Sequence, residues 1–307
     1  MHPKRIARRS SSPAKLSCNA VDAVPPKARL ASVFRSTASH KTLIRAMLVA
    51  PVILPAVATL PRPAHALNEC GVGTTVVCQA SGNPYAGGIT YGTFSSPLTT
   101  DFSLSFAPGV AVQTNAATGL SVTKASSATA TTTTLDTSMG SITATGGGWG
   151  IAINSPGVVD IVTGNMTVGS TPNESPSGRG ISTVGFPSSP SQLTIDTRQG
   201  AIVTFGISSP AVDAGASAEI NVSTGDVTTH GDISPAIRAF PNNTTNINTT
   251  AGTLTTTGQI SPAIWVLAQV TGSIAITTGN ISTTGAASSG IQAGSYAMPI
   301  QIDTAGG

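Results

Sequence analysis

Seven glycines set the frame of this chain: Gly140, Gly164, Gly200, Gly225, Gly252, Gly279 and Gly307, spaced 24, 36, 25, 27, 27 and 28 residues apart. Five positions before each stands an apolar residue: Leu135, Val159, Ile195, Ile220, Ile247, Ile274 and Ile302. Two positions after come Ile142, Met166, Ile202, Val227, Leu254 and Ile281. Most copies add a second glycine (Gly146, Gly206, Gly231, Gly258, Gly285), then a small-residue corner ending on Val212, Ile237, Ile264 or Ile291. A flexible linker has no reason to hold apolar residues in register. A repeat of this length is the mark of a solenoid. The one long interval contains an insertion around "STPNESPSGRG" at 170–180.

Within each repeat the period is two. In "GTLTTTG" Leu254 and Thr256 fall on one face and Thr255 and Thr257 on the other. Thr, Val and Ile favour strands, and Gly, Asn and Ser-Pro mark corners. The pattern predicts an all-β fold, a parallel β-helix of ~24–28-residue rungs, each with three short strands stacked about 4.8 Å above the last. A leucine-rich repeat of similar length needs a Leu/Asn framework and a helical segment, and neither is visible. One rung buries too little to fold alone, so stability must be collective. Residues 67–134, with Phe102, Leu104 and Phe106 alternating, are expected to form an N-terminal cap and first strands. Residues 135–307 carry the repeats, and "IQIDTAGG" at the end repeats "LTIDTRQG" (193–200), so the chain reads as cut off in mid-rung.

Charge is divided unevenly along the chain. Eleven of the fifteen Lys and Arg residues precede residue 67; only Lys124, Arg179, Arg198 and Arg238 follow, against eleven acids, net −7. The basic character therefore belongs to residues 1–66, and the body would be repelled from nucleic acid. Lys41 and Arg45 lead into the apolar run "AMLVAPVILPAVATL" (46–60), followed by "PRPAHA" with Ala64 and Ala66 at the −3 and −1 positions of a secretory cleavage site. The expected mature chain starts at Leu67. Export favours a disulfide between Cys70 and Cys78 over a metal site, which would need more ligands than the one later histidine, His230, can add.

The opening "CGVGTTVVCQASGNPYAGGITYGTF", followed by "STGDVTTHGDISPAI" and "TTGNISTTGAASSGI", resembles the passenger region of bacterial autotransporters of type V secretion, over roughly residues 67–307. The resemblance implies localisation at the bacterial cell surface, the outer membrane or outside the cell, and display of a long β-helix, often as an adhesin. It implies as partners a host or neighbouring-cell surface protein or glycan, and an outer-membrane translocator that this sequence does not contain.

"GDISP" (231–235) superficially resembles a serine-protease nucleophile turn, but "GQISP" (258–262) repeats it, so it reads as a corner, with His230 on the outward face of a strand. Four residues before the reference glycines stand Asp136, Asp160 and Asp196, expected to stack outward as a column: either a solvated ladder or a hold for Ca²⁺. A pectate-lyase-like enzyme would use that column and a cation such as Arg198. A third reading, ice or crystal-surface binding by flat T-x-T arrays, fits Thr143 and Thr145, Thr255 and Thr257, and Ser282 and Thr284. Val203 and Phe205, and then Thr228 and His230, interrupt the array, and Thr is also simply a good strand residue. The expectation is a non-catalytic protein without cofactor that acts through an extended surface.

Overall fold

The computed structural model describes residues 69–307 apart from 173, 176–177, 184–189, 216–217, 269–271, 296–298 and 305–307. Ala64 and Ala66 fall outside the described residues, as does the whole leader. The chain is a parallel β-helix. Its third strands form one eight-stranded sheet: Ile89–Tyr91, Leu120–Thr123, Ile151–Asn154, Ile181–Ser182, Val212–Ala214, Ile237–Ala239, Ile264–Ala268 and Ile291–Ser295. The first and second strands of the coils share a 14-stranded sheet, because Thr132–Thr145 and Val158–Val168 each run through the corner between them. The only described helix is the 3-10 turn Ala80–Gly82.

The periodicity works as elementary strand geometry requires. Two of the three apolar columns stack as the spacing predicts: Ile142, Met166, Ile202, Val227, Leu254 and Ile281 in the second strands, and Val212, Ile237, Ile264 and Ile291 in the third. Ile202, Val227, Leu254, Ile237 and Ile264 have no exposed surface at all. In the first strands the register differs from expectation by two residues in alternate coils. Leu135 stacks on Ile161, not Val159, and onward through Ile195, Val222, Ile247, Ile276 and Ile302.

The cause is the first corner, whose length alternates. Thr163-Gly164, Thr224-Gly225 and Thr278-Gly279 turn directly, while two residues separate Thr137 from Gly140, Thr197 from Gly200 and Thr249 from Gly252. Each longer corner opens on an Asx turn. Asp136 Oδ1 accepts from the Ser138 N–H (3.0 Å) and hydroxyl (2.6 Å), Asp196 Oδ1 from the Arg198 N–H (3.0 Å), and Asn248 Oδ1 from the Thr250 N–H (3.1 Å) and hydroxyl (2.8 Å). Short corners carry Val162, Ser223 and Thr277 at that place. The glycines that close the corners stack directly: a Cβ on Gly200 or Gly252 would run into the backbone of Gly164 or Gly225 below.

From Ile202 onward the second corner keeps one length and one chemistry. Ser209, Ser234 and Ser261 each donate their N–H to the hydroxyl of the serine one coil on (2.9, 3.0 and 2.9 Å). The hydroxyls of Ser234, Ser261 and Ser288 donate to the carbonyls of Gly206, Gly231 and Gly258 in the preceding coil (3.0, 3.0 and 2.9 Å). Thr204, Thr229 and Thr256 donate across the corner to the serine carbonyls at 2.7 Å. The residue before each serine is left-handed: Ser208, Ile233, Ile260 and Ala287 have φ of 56°, 56°, 53° and 56°.

Parallel pairing begins at the first strand, Thr75–Cys78, which stacks on Phe102–Phe106, and Ile89–Tyr91 stacks on Leu120–Thr123. The boundary drawn at residue 134 therefore crosses a continuous stack. What caps its N-terminal edge is the segment around the cysteines. Cys70 and Cys78 form a disulfide. Glu69 Oε2 accepts the Thr90 N–H (3.1 Å), the Tyr91 hydroxyl donates to the Gly71 carbonyl (2.9 Å), and Asn83 Oδ1 accepts the Ala111 N–H (2.8 Å). These bonds occupy backbone groups that an open edge would present to another chain. Tyr91 packs on Phe102, and burial pushes its phenol up to about 12. At the third corner the buried Lys124 ammonium donates to Thr131 Oγ1 (2.8 Å) and the Thr132 carbonyl (2.7 Å); burial pulls its pKa down, opposed by the charge of Asp101.

Candidate functional site

Outward residues of the eight-stranded sheet stack as strictly as inward ones. The position after Val212, Ile237 and Ile264 carries Asp213, Arg238 and Trp265 in adjacent register, with Ser182 on the other side of Asp213. Trp149 and Arg179 both stand two residues before an inward isoleucine, Ile151 and Ile181, which pair with each other. Three unlike chemistries, carboxylate, guanidinium and indole, thus meet on one face.

Their geometry is tight. Asp213 has no exposed surface and takes two guanidinium groups: Arg238 through Nε–Oδ1 (2.7 Å) and Nη2–Oδ2 (2.6 Å), and Arg179 through Nη1–Oδ2 (2.8 Å). Arg179 also donates to Ser182 Oγ (3.2 Å). The guanidinium of Arg179 lies 5.2 Å from the Trp149 ring centroid and that of Arg238 5.5 Å from Phe240. Phe240 meets Trp265 edge to face at 5.9 Å. Burial pulls the Arg179 pKa down, the Asp213 charge holds it up, and Arg238 opposes that; an arginine so placed stays charged at neutral pH. Two cations share one anion, so the cluster is net positive on a body that is net negative. The side chains of Arg179 and Arg238 keep 25% and 15% of their surface open, and the aromatic rings are half-buried. Both tryptophans of the chain belong to this cluster.

The aspartates singled out in the sequence do not form one column. Asp160 lies between Thr134 and Thr194, in line with Asn221 and Asn246, whereas Asp136 and Asp196 lie one column over and are separated by Val162. Counting back from the glycines crossed a corner of alternating length and merged two columns. The ladder of successive carboxylates is corrected to turn residues, Asp136 and Asp196, and a separate polar column containing Asp160. Asp196 is also paired with Arg198 at 2.9 and 2.6 Å, so the cation considered for lyase chemistry is bound to its own turn.

His230 sits on the outward column as expected, stacked on Phe205 (4.8 Å) and 3.3 Å from Thr257 Oγ1. Ser234 is buried within the serine ladder. The threonine array keeps its register through Thr143, Thr167, Val203, Thr228, Thr255 and Ser282, with the interruption at Val203 and Phe205 in place. A depression of about 240 Å³ near the third corner is lined by Phe94, Pro97, Thr123 and Asn154 among others. The buried Asn154 Oδ1 has no partner there among the described residues, and the space is ample for ordered water.

No family model matches the chain, and comparison with curated proteins and with solved structures finds no match. The autotransporter resemblance rests on the quoted sequence stretches.

Proposed function

We propose that this chain is an exported, non-catalytic passenger-type β-helix that acts as an extended surface in adhesion or cell-surface contact. The observation that carries the reading is the outward face of the eight-stranded sheet, where arginines and aromatic rings from consecutive coils are brought into one half-buried cluster. Arginine and aromatic side chains are the residues through which surfaces hold partners. Rigid strands hold them in place, as a binding site requires. The secretory leader pattern and the disulfide agree with an oxidising destination. The experiment is attachment of bacterial or host cells to the immobilised exported chain. Saturable attachment supports the reading. Turnover of polygalacturonate, abolished by Asp196→Ala, would replace it with a polysaccharide-active enzyme.

A further inference from the structure

We infer that the strip Trp149–Arg179–Asp213–Arg238–Phe240–Trp265 is a binding site for a linear, carboxylate-bearing glycan. This rests on the surface-contact reading and names its ligand class. The strip draws on five consecutive coils, from the one containing Ile151 to the one containing Ile264. At about 4.8 Å per coil it is about 19 Å long, so it suits a chain laid across the strands rather than a compact molecule.

Three features fix the chemistry. The first is charge. Two guanidinium groups over one buried carboxylate leave one positive charge, and a single carboxylate on the ligand neutralises it. Asp213 engages Nε and Nη2 of Arg238 and Nη1 of Arg179, and a guanidinium carries five N–H donors in a fork that matches carboxylate geometry. Asp213 thus positions both forks while leaving them donors for a second carboxylate. The second feature is the rings. Trp149 lies at one end and Phe240 with Trp265 at the other, flanking the cations; the C–H faces of sugar rings pack on such aromatic faces as other apolar groups do. Leu267, exposed and two residues beyond Trp265 on the same strand, extends that apolar end. The third is the backbone. Val212–Ala214 and Ile237–Ala239 are paired on both sides, so this face offers a peptide no edge for strand addition. Recognition here falls to side chains, which favours a glycan over an acidic peptide.

The test is calorimetric titration of the exported chain with polygalacturonate, with the same polymer fully methyl-esterified, and with polyglutamate. The expected result is binding of polygalacturonate without turnover, at least about tenfold weaker after esterification and weakened by salt. Trp265→Ala and Arg179→Lys should each lower affinity about tenfold or more with an unchanged melting curve, the lysine keeping charge but losing the fork. No binding, equal binding of polyglutamate, or affinity untouched by Trp265→Ala with the fold intact would each overturn the assignment. Cell attachment separates the two readings. Attachment that persists when polygalacturonate does not bind refutes the glycan strip alone. Polygalacturonate binding without any cell attachment upholds the strip and refutes adhesion.

Discussion

The two corners of each coil solve the same problem with opposite chemistry. Both must turn the chain while keeping a small hydroxyl residue inside. At the second corner the coils of Ile237, Ile264 and Ile291 use a serine whose hydroxyl accepts an N–H from the coil before and donates to a carbonyl there. At the first, the inward residue is threonine, and the buried hydroxyls of Thr163, Thr197, Thr224, Thr249 and Thr278 have no hydrogen-bond partner among the described residues. Where the serines stand, the second corner is held by bonds between coils and cannot change length without breaking them; before Ile151 and Ile181, where they are lacking, its length differs. The first is held by local turns and by burial of threonine methyl groups, so it tolerates two extra residues in alternate coils. Uniformity accompanies a relay of side-chain hydrogen bonds from coil to coil, and variation its absence.

Both corners depend on the shared interior, and severing that should have the largest effect. Ile264 is fully buried between Ile237 and Ile291. Ile264→Asp places an unpaired charge there and should cost more than about 4 kcal/mol, seen as loss of the cooperative thermal transition. Thr255→Asp, on the outer face of the neighbouring strand, should change stability by less than about 0.5 kcal/mol. Equal losses would mean that the register is wrong.

Next comes the serine ladder. Ser234→Ala strips a partner from the Ser209 N–H and from the Gly206 carbonyl, both inside the corner. Leaving buried polar groups unpaired should cost about 1–3 kcal/mol in chemical denaturation. A loss under a few tenths would show that the ladder does not hold this corner. The same corner also carries strain. Ile260 is β-branched, 58% exposed and left-handed, a conformation that costs a side chain with a Cβ roughly 1–2 kcal/mol. Ile260→Asn should raise stability by about 1 kcal/mol, since Asn tolerates that region. A lower melting temperature would mean that the isoleucine is packed rather than merely exposed.

This contrast also explains what the sequence made legible. The second and third apolar columns could be read directly because the chain from each glycine through Ile202, Val227 or Leu254 to Val212, Ile237 or Ile264 crosses only the constant corner. The first column could not, because reading backward from Gly200 and Gly225 crosses corners that differ by two residues. Thr-Gly against Thr-x-x-Gly, with Asp136, Asp196 or Asn248 just before the longer form, was the available signal. The outward cluster was missed for another reason. Arg179 and Arg238 stand out as two of the few cations of the body, yet only by treating outward positions as columns does one find Asp213, Arg238 and Trp265 in line. Which ring each guanidinium would approach is set by side-chain torsions, which periodicity does not encode.

Acid should act on the corners held by carboxylates before the serine ladder. The hydrogen bond from the Arg198 side chain holds the Asp196 carboxyl below its usual range. Glu174, which accepts the Gly146 and Ser170 N–H groups, is also held low, those bonds outweighing the opposing effect of burial. A lowered carboxyl pKa gives stability that is full above the unfolded values, about pH 4, and is lost as pH falls through the folded ones. Denaturation midpoints should therefore decline below about pH 4, and Glu174→Gln should flatten that decline while Ser234→Ala leaves its slope unchanged. A slope equally altered by both would place the acid-sensitive groups elsewhere.

The smallest effect is the most discriminating, because it should have the opposite sign to Ser234→Ala. Thr224 is fully buried, its backbone N–H is taken by the Asn248 carbonyl one coil on (3.0 Å), and its hydroxyl has no partner among the described residues. Thr224→Val keeps the branched shape that suits a strand and replaces that hydroxyl with a methyl group. Burying a hydroxyl without a hydrogen bond costs on the order of 1 kcal/mol or more in proteins, so the valine variant should be as stable as the parent or up to about 1 kcal/mol more stable. Ser234→Ala, also the loss of one buried hydroxyl, should lose stability in the same assay. If Thr224→Val instead falls as far as Ser234→Ala, its hydroxyl is satisfied, by ordered water in the stacked column, and the two corners are held by the same means.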